Sequence, residues 1–120
     1  MRKYNENHYW IEEYEDNKFR VGFTSYKLSH LGALNVINFP QIDTLLIKDH
    51  SFGDFESTKS NEELIAPLSG LLSWINTKIV NDPESYDLMS VDVELFEITA
   101  SNLLELEDFL DFETYQSQLG

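Results

Sequence analysis

Phe52-Gly53-Asp54-Phe55-Glu56-Ser57-Thr58-Lys59-Ser60-Asn61-Glu62-Glu63-Leu64-Ile65-Ala66-Pro67-Leu68-Ser69-Gly70 sets two strand-like runs on either side of a small polar tetrad, Ser57 to Ser60. The tetrad has the composition of a type I turn, so the stretch reads as a hairpin with Lys59 at its tip. Lys59 is the only Lys or Arg between Lys48 and Lys78, and Glu56, Glu62 and Glu63 surround it in sequence. On composition alone it is an ordinary turn lysine screening its acidic neighbours.

Strand signals continue on both sides of this hairpin. Phe19, Val21 and Phe23 alternate with Arg20 and Gly22, and Tyr9 to Tyr14 precede them across the polar stretch Glu15-Asp16-Asn17-Lys18, so residues 8 to 24 read as a second hairpin. A short helix is expected over Ser25 to Leu31, closed by Gly32. Leu34 to Phe39, ended by Pro40, is an apolar run, and Leu45 to Ile47, Leu71 to Ile75 and Val91 to Ile98 are further strand candidates beside the two limbs of the lysine hairpin. About seven short strands separated by turn residues predict a small sandwich or barrel rather than a parallel α/β sheet. Near the end, Leu103, Leu106, Phe109 and Leu110 fall on one side at helical spacing, opposite Glu105, Glu107, Asp108 and Asp111, with Thr99 and Ser101 as candidate N-caps; this predicts a helix docked by one face.

The chain has 120 residues, which predicts one domain over residues 1–120, and 8 Lys and Arg against 22 Asp and Glu give a formal charge of −14. Eight Phe, six Tyr and two Trp supply the apolar area for one core, so the charge belongs to a folded surface. A surface of this sign repels phosphate backbones and anionic lipid, so neither nucleic acid nor membrane is an expected partner. Without cysteine there is no disulfide, no thiolate nucleophile and no Cys-based metal site. No apolar run has the length of a signal core or a membrane span, and a cytoplasmic location is the expectation.

Catalytic signals are sparse. His8, His30 and His50 lack the i, i+4 spacing of a helical metal pair, and no acidic loop has the calcium pattern, so no metal is expected. The phosphate-cradling glycine motifs and the G-x-S-x-G nucleophile elbow are absent from the sequence.

Glu56-Ser57-Thr58-Lys59 followed by Ala66-Pro67-Leu68-Ser69-Gly70 resembles the signature around the lipoylated lysine of the glycine cleavage system H proteins. His8-Tyr9-Trp10 resembles that family's H-E-W, Val21-Gly22-Phe23-Thr24 its V-G-I-T, Leu31-Gly32 its L-G, Phe39-Pro40 its L-P, and Asn81 to Glu84 its N-x-P-E, in the same order and at similar spacing. A biotin carrier would instead be expected to show M-K-M where Thr58 and Ser60 flank the lysine here. The resemblance implies a mainly β, barrel-sandwich hybrid fold with short helices and a helical C-terminus. It also implies a lipoyl carrier rather than an enzyme, with lipoate attached covalently at Lys59, Glu56 recognised by the lipoylating enzyme and Glu63 in contact with the aminomethyl-loaded arm. Its implied partners are glycine decarboxylase, aminomethyltransferase, dihydrolipoyl dehydrogenase and a lipoate ligase or lipoyltransferase, met by a monomeric carrier.

Three positions differ from the family pattern. Tyr9 stands where an acid of H-E-W is implied to face the arm together with the position of Glu63, Ala33 replaces the acid after L-G, and Asp87-Leu88-Met89-Ser90-Val91 replaces a G-W segment. These differences keep two alternatives open: an H-like protein that relays lipoate outside glycine cleavage, and an acidic interaction module whose lysine is never modified.

Overall fold

The computed structural model describes residues 1–86 and 92–119. Nine strands form among them: β1 (Lys3–Tyr4), β2 (Tyr9–Glu15), β3 (Lys18–Phe23), β4 (Leu34–Asn38), β5 (Leu45–Leu46), β6 (Ser51–Ser57), β7 (Asn61–Ile65), β8 (Gly70–Ile75) and β9 (Phe96–Ala100). The helices are α1 (Ser25–Leu31), α2 (Thr77–Asn81) and α3 (Phe112–Ser117), with 3₁₀ turns at Pro83–Ser85 and Leu103–Asp108. A six-stranded sheet runs in the order β1-β2-β3-β9-β8-β5, and a three-stranded sheet in the order β4-β6-β7. All pairings are antiparallel. This is the mainly β, sandwich-like architecture with a helical C-terminus that the strand pattern and the resemblance predict.

Alternation explains the two layers. Ile11, Phe19, Val21, Phe23, Leu72, Phe96 and Ile98 point inward from the large sheet, and Leu34, Ile37, Phe55 and Leu64 from the small one. Their side chains interdigitate, with the rings of Phe23 and Phe55 5.3 Å apart between centroids. The hairpin of residues 8 to 24 forms as expected, and Asn17 takes the left-handed φ of 65° that its tight turn needs. On the large sheet's outer side, Glu97 is 3% exposed and accepts bonds from Arg20 at 2.9 Å and from the Ser73 hydroxyl. Burial works against its charge, but these partners more than offset that and hold its carboxyl below the ordinary carboxylate value.

Two expectations are corrected. No single helix spans Leu103 to Asp111: a 3₁₀ turn capped by the Asn102 side chain, not by Thr99 or Ser101, covers Leu103–Asp108, and the α-helix starts later with Asp111 as its cap. Glu105 accounts for the break, because its carboxylate accepts from both the N–H and the hydroxyl of Ser69 at 2.8 Å and fastens the turn to the start of β8. Leu103 and Leu104 are left exposed, whereas Phe109 is buried. The strand expected over Val91 to Ile98 is β9, which begins only at Phe96 and runs on to Ala100. Val91 and the rest of the Asp87–Val91 segment lie outside the described residues.

Helix α1 forms where the sequence predicts it. Thr24 caps it, accepting from the Lys27 N–H at 3.3 Å, while Leu28 and Leu31 bury its inner side. Tyr115 of α3 reaches the same cap, its hydroxyl 2.9 Å from Thr24 Oγ1 and 2.7 Å from His8 Nδ1. The C-terminal helix thereby braces the N-terminus of α1, whose other end carries the lysine turn.

Candidate functional site: the lysine turn

Lys59 sits at the apex of the β6–β7 hairpin, where Glu56 and Asn61 form the last strand pair. Its side chain is exposed, and among the described residues its ammonium group forms no ion pair. The turn departs from a simple type I arrangement. Ser57 N–H donates to the Ser60 carbonyl at 2.8 Å, but the Ser60 N–H is taken by the Ser57 hydroxyl at 3.1 Å, and the same hydroxyl lies 2.9 Å from the Ser60 carbonyl. Ser57 is buried while doing this, so one side chain satisfies both polar groups of the far limb.

The strand register sorts the three acids around the lysine onto two faces. Asp54 lies opposite Glu63 and Glu56 opposite Asn61, which puts Glu56 and Glu63 together on the outer face as diagonal cross-strand neighbours, about 7–8 Å apart. Asn38 joins them by donating to Asp54 at 2.7 Å, and a shallow depression here is lined by Asn38, Asp54, Phe55, Glu56, Asn61, Glu62 and Glu63. Glu62 points the other way. Its carboxylate takes Lys27 Nζ of α1 at 2.5 Å and the Ser60 hydroxyl at 2.8 Å. Burial opposes its ionisation, but Lys27 and Ser60 outweigh that and hold its carboxyl below the ordinary value.

Tyr9 is not a cleft residue. It is 2% exposed between the sheets, packs on Phe23 and Phe96, and its hydroxyl accepts from the Ile65 N–H at 3.1 Å. Burial pushes its phenol up. The position is inward-facing in β2, whereas Glu63 faces outward, so the two do not form a pair; Glu62 is the acid on the inner side. His8 and His30, far apart in sequence, both pack on the Tyr26 ring, at 4.5 and 4.4 Å. Burial, with Lys27 and His30 nearby, lowers the His8 pKa. Among the described residues no group of three or more acids and histidines is placed to hold a metal ion.

The sequence missed what holds the turn from behind. Thr58 N–H donates to the Ala33 carbonyl at 2.9 Å and Lys59 N–H to the Leu31 carbonyl at 3.1 Å, while the Thr58 hydroxyl accepts from the Ala33 N–H at 2.6 Å. Gly32 makes this approach feasible, since a Cβ there would run into the Thr58 side chain. The one local signal was the Leu31-Gly32 pair closing α1.

An exposed lysine on a braced hairpin, without an ion pair among the described residues, can be presented to another protein's active site. The glycine cleavage H-protein family model matches residues 2–119. The glycine cleavage system H protein of Synechococcus sp. (strain JA-2-3B'a(2-13)) is 36% identical over 96% of this chain and 89% of its own length. That of Mycobacterium leprae (strain Br4923) is 34% identical over 97% and 92%. The crystal structure of a glycine cleavage system H protein from Mycobacterium marinum superposes with a TM-score of 0.81 at 29% identity, covering 99% of this chain and 96% of the other. With the family model spanning almost all of it and the lysine turn intact, the chain belongs to the glycine cleavage H-protein family, lipoyl carriers that bear lipoate on a lysine and do not themselves catalyse.

Proposed function

We propose that the chain is a single-domain carrier in which lipoate is attached to Lys59 and that it serves glycine cleavage. The observation that carries this reading is the exposed Lys59 ammonium, unpaired among the described residues, at the apex of a hairpin whose turn is bonded on both limbs. The attachment site fits the group: Lys59 is exposed at the apex of the β6–β7 hairpin, with Glu56 and Glu63 on the hairpin's outer face. When bound, the lipoyl group supplies a dithiol/disulfide couple able to take up an aminomethyl group. Glu63, with Asp54 opposite it, offers negative charge to an aminomethyl ammonium from that outer face. The chain has no cysteine, so no internal thiol competes by exchange.

The interacting enzymes in this reading are those of the glycine cleavage system: glycine decarboxylase, aminomethyltransferase and dihydrolipoyl dehydrogenase, after a lipoate ligase or lipoyltransferase has modified Lys59. The carrier meets them as a monomer in the cytoplasm. Among the described residues no helix is long and apolar enough to cross a membrane. The test is loading: lipoylated protein incubated with glycine decarboxylase, pyridoxal phosphate and glycine labelled at its α-carbon is expected to acquire label on the arm, the carboxyl carbon leaving as carbon dioxide. If it acquires none, yet passes lipoate to another carrier through a transferase, the relay reading replaces this one.

Glu56 contributes to recognition rather than to folding. It is exposed at the end of the last strand pair, and surface carboxylates contribute on the order of 0–1 kcal/mol even when paired. Glu56→Ala is expected to slow lipoylation by a ligase several-fold while moving the melting temperature by no more than about 5 °C. Normal lipoylation with a large loss of stability would reverse the assignment.

A further inference from the structure

The two apex N–H groups of the lysine turn are not spent inside the hairpin. Ser57 alone satisfies both the N–H and the carbonyl of Ser60, which suffices to close the tip. Thr58 and Lys59 instead donate backward to Ala33 and Leu31 at the exit of α1, and the Thr58 hydroxyl adds a bond from the Ala33 N–H at 2.6 Å. On the other limb Ser60 is tied through Glu62 to Lys27 of α1. Each neighbour of Lys59 is therefore fastened to α1, or to the chain leaving it, by more bonds than the turn itself requires.

Those bonds do little for stability. Ala33 and Thr58 are exposed, so water replaces the hydroxyl bond when it is lost. What the clasp fixes is the direction in which the tip, and Lys59 with it, leaves the sheet. We infer that Thr58 is a positioning residue for acylation of Lys59, its hydroxyl holding the turn against Ala33 in the orientation that the lipoylating enzyme receives. The inference rests on the carrier reading. A turn already in the bound geometry loses little freedom on association, whereas a loosened one must be ordered at the enzyme surface. That cost appears in binding and not in turnover of the bound complex, so KM for the protein substrate rises and kcat stays.

The step being served is acyl transfer. A ligase converts lipoate and ATP to lipoyl adenylate and pyrophosphate; the neutral Lys59 amine then forms the C–N amide bond, the C–O bond to AMP breaks, and the proton leaves to solvent. The experiment measures steady-state lipoylation by ligase, lipoate and ATP for the full chain, Thr58→Val, Thr58→Ala and Thr58→Ser, with a melting curve for each. Val keeps the β-branched shape but puts a methyl where the hydroxyl accepts from the Ala33 N–H, whereas Ala removes the hydroxyl and adds nothing in its place. The two hydroxyl-free variants are expected to raise KM about fivefold with kcat and melting temperature unchanged, and Ser to stay within about twofold of wild type. Acylation of Lys59 by a small N-hydroxysuccinimide ester should proceed at the same rate in all four.

Equal KM for Val, Ala and wild type overturns the inference, as does a Ser variant no better than Val. A wild-type chain that takes no lipoate at Lys59 overturns the carrier reading and this inference together, so the wild-type arm separates the two failures.

Discussion

Lys59→Arg is expected to take no lipoate at all while folding as the wild type does. The side chain is exposed, forms no ion pair among the described residues and contributes nothing to either sheet's inner face, so Arg replaces it at no packing cost and with the same charge. A guanidinium keeps its proton at any accessible pH and offers no free amine to an activated acyl group. The other basic residues present no equivalent. Arg2, Lys18, Arg20, Lys27 and Lys48 are held in salt bridges, Lys3 lies on β1 and Lys78 on α2. Incubation with ligase, lipoate and ATP, followed by intact mass and peptide mapping, should place one lipoyl group on the peptide containing Lys59 in the wild type and none in the variant. Label that persists in Lys59→Arg would remove the residue from the centre of the site.

Legibility in the sequence followed the range of the interactions. The hairpin of residues 8 to 24 and helix α1 were readable because alternation, a turn residue with a left-handed φ and a capping threonine all lie within a few positions of one another. The lysine hairpin was readable for the same reason, and its acids were not. Glu56, Glu62 and Glu63 look alike in sequence; a two-residue period assigns them to opposite faces only once the register Asp54↔Glu63 is known.

At the C-terminal end the helical period of Leu103, Leu106, Phe109 and Leu110 was overridden by one tertiary contact, Glu105 to Ser69, thirty-six positions away in the chain. Tyr9 shows the complementary case, in which the motif position was visible but its burial was not. An aromatic in β2 whose hydroxyl reaches Ile65 belongs to the core, and an acid at the same place would have to open the sandwich or find a partner. The clasp behind Lys59 joins residues 25 apart and was invisible for the same reason, except through the glycine that permits it.

Gly32→Ala should therefore produce the largest loss of stability among single changes around the turn, with a loss of lipoylation beyond it. Gly32 has φ 71° and ψ −153°, a region essentially restricted to glycine, so alanine there costs roughly 1–3 kcal/mol of backbone strain. The added methyl would also meet the Thr58 hydroxyl, the Thr58 Cβ at 3.2 Å and Lys59 Cγ at 3.4 Å. Either α1 or the hairpin tip must then move, and the tip is the part less held by buried contacts.

A melting temperature lowered by about 5–15 °C is expected, together with slower modification at temperatures where the variant is fully folded. Thr58→Ala in the Gly32→Ala background separates the two sources. It removes the hydroxyl from the collision but leaves the strained φ, so it should recover only part of the stability, and the non-additivity measures the contact between the two residues. Melting of Gly32→Ala within a degree of wild type would mean that the α1 exit yields without strain and does not grip the lysine turn.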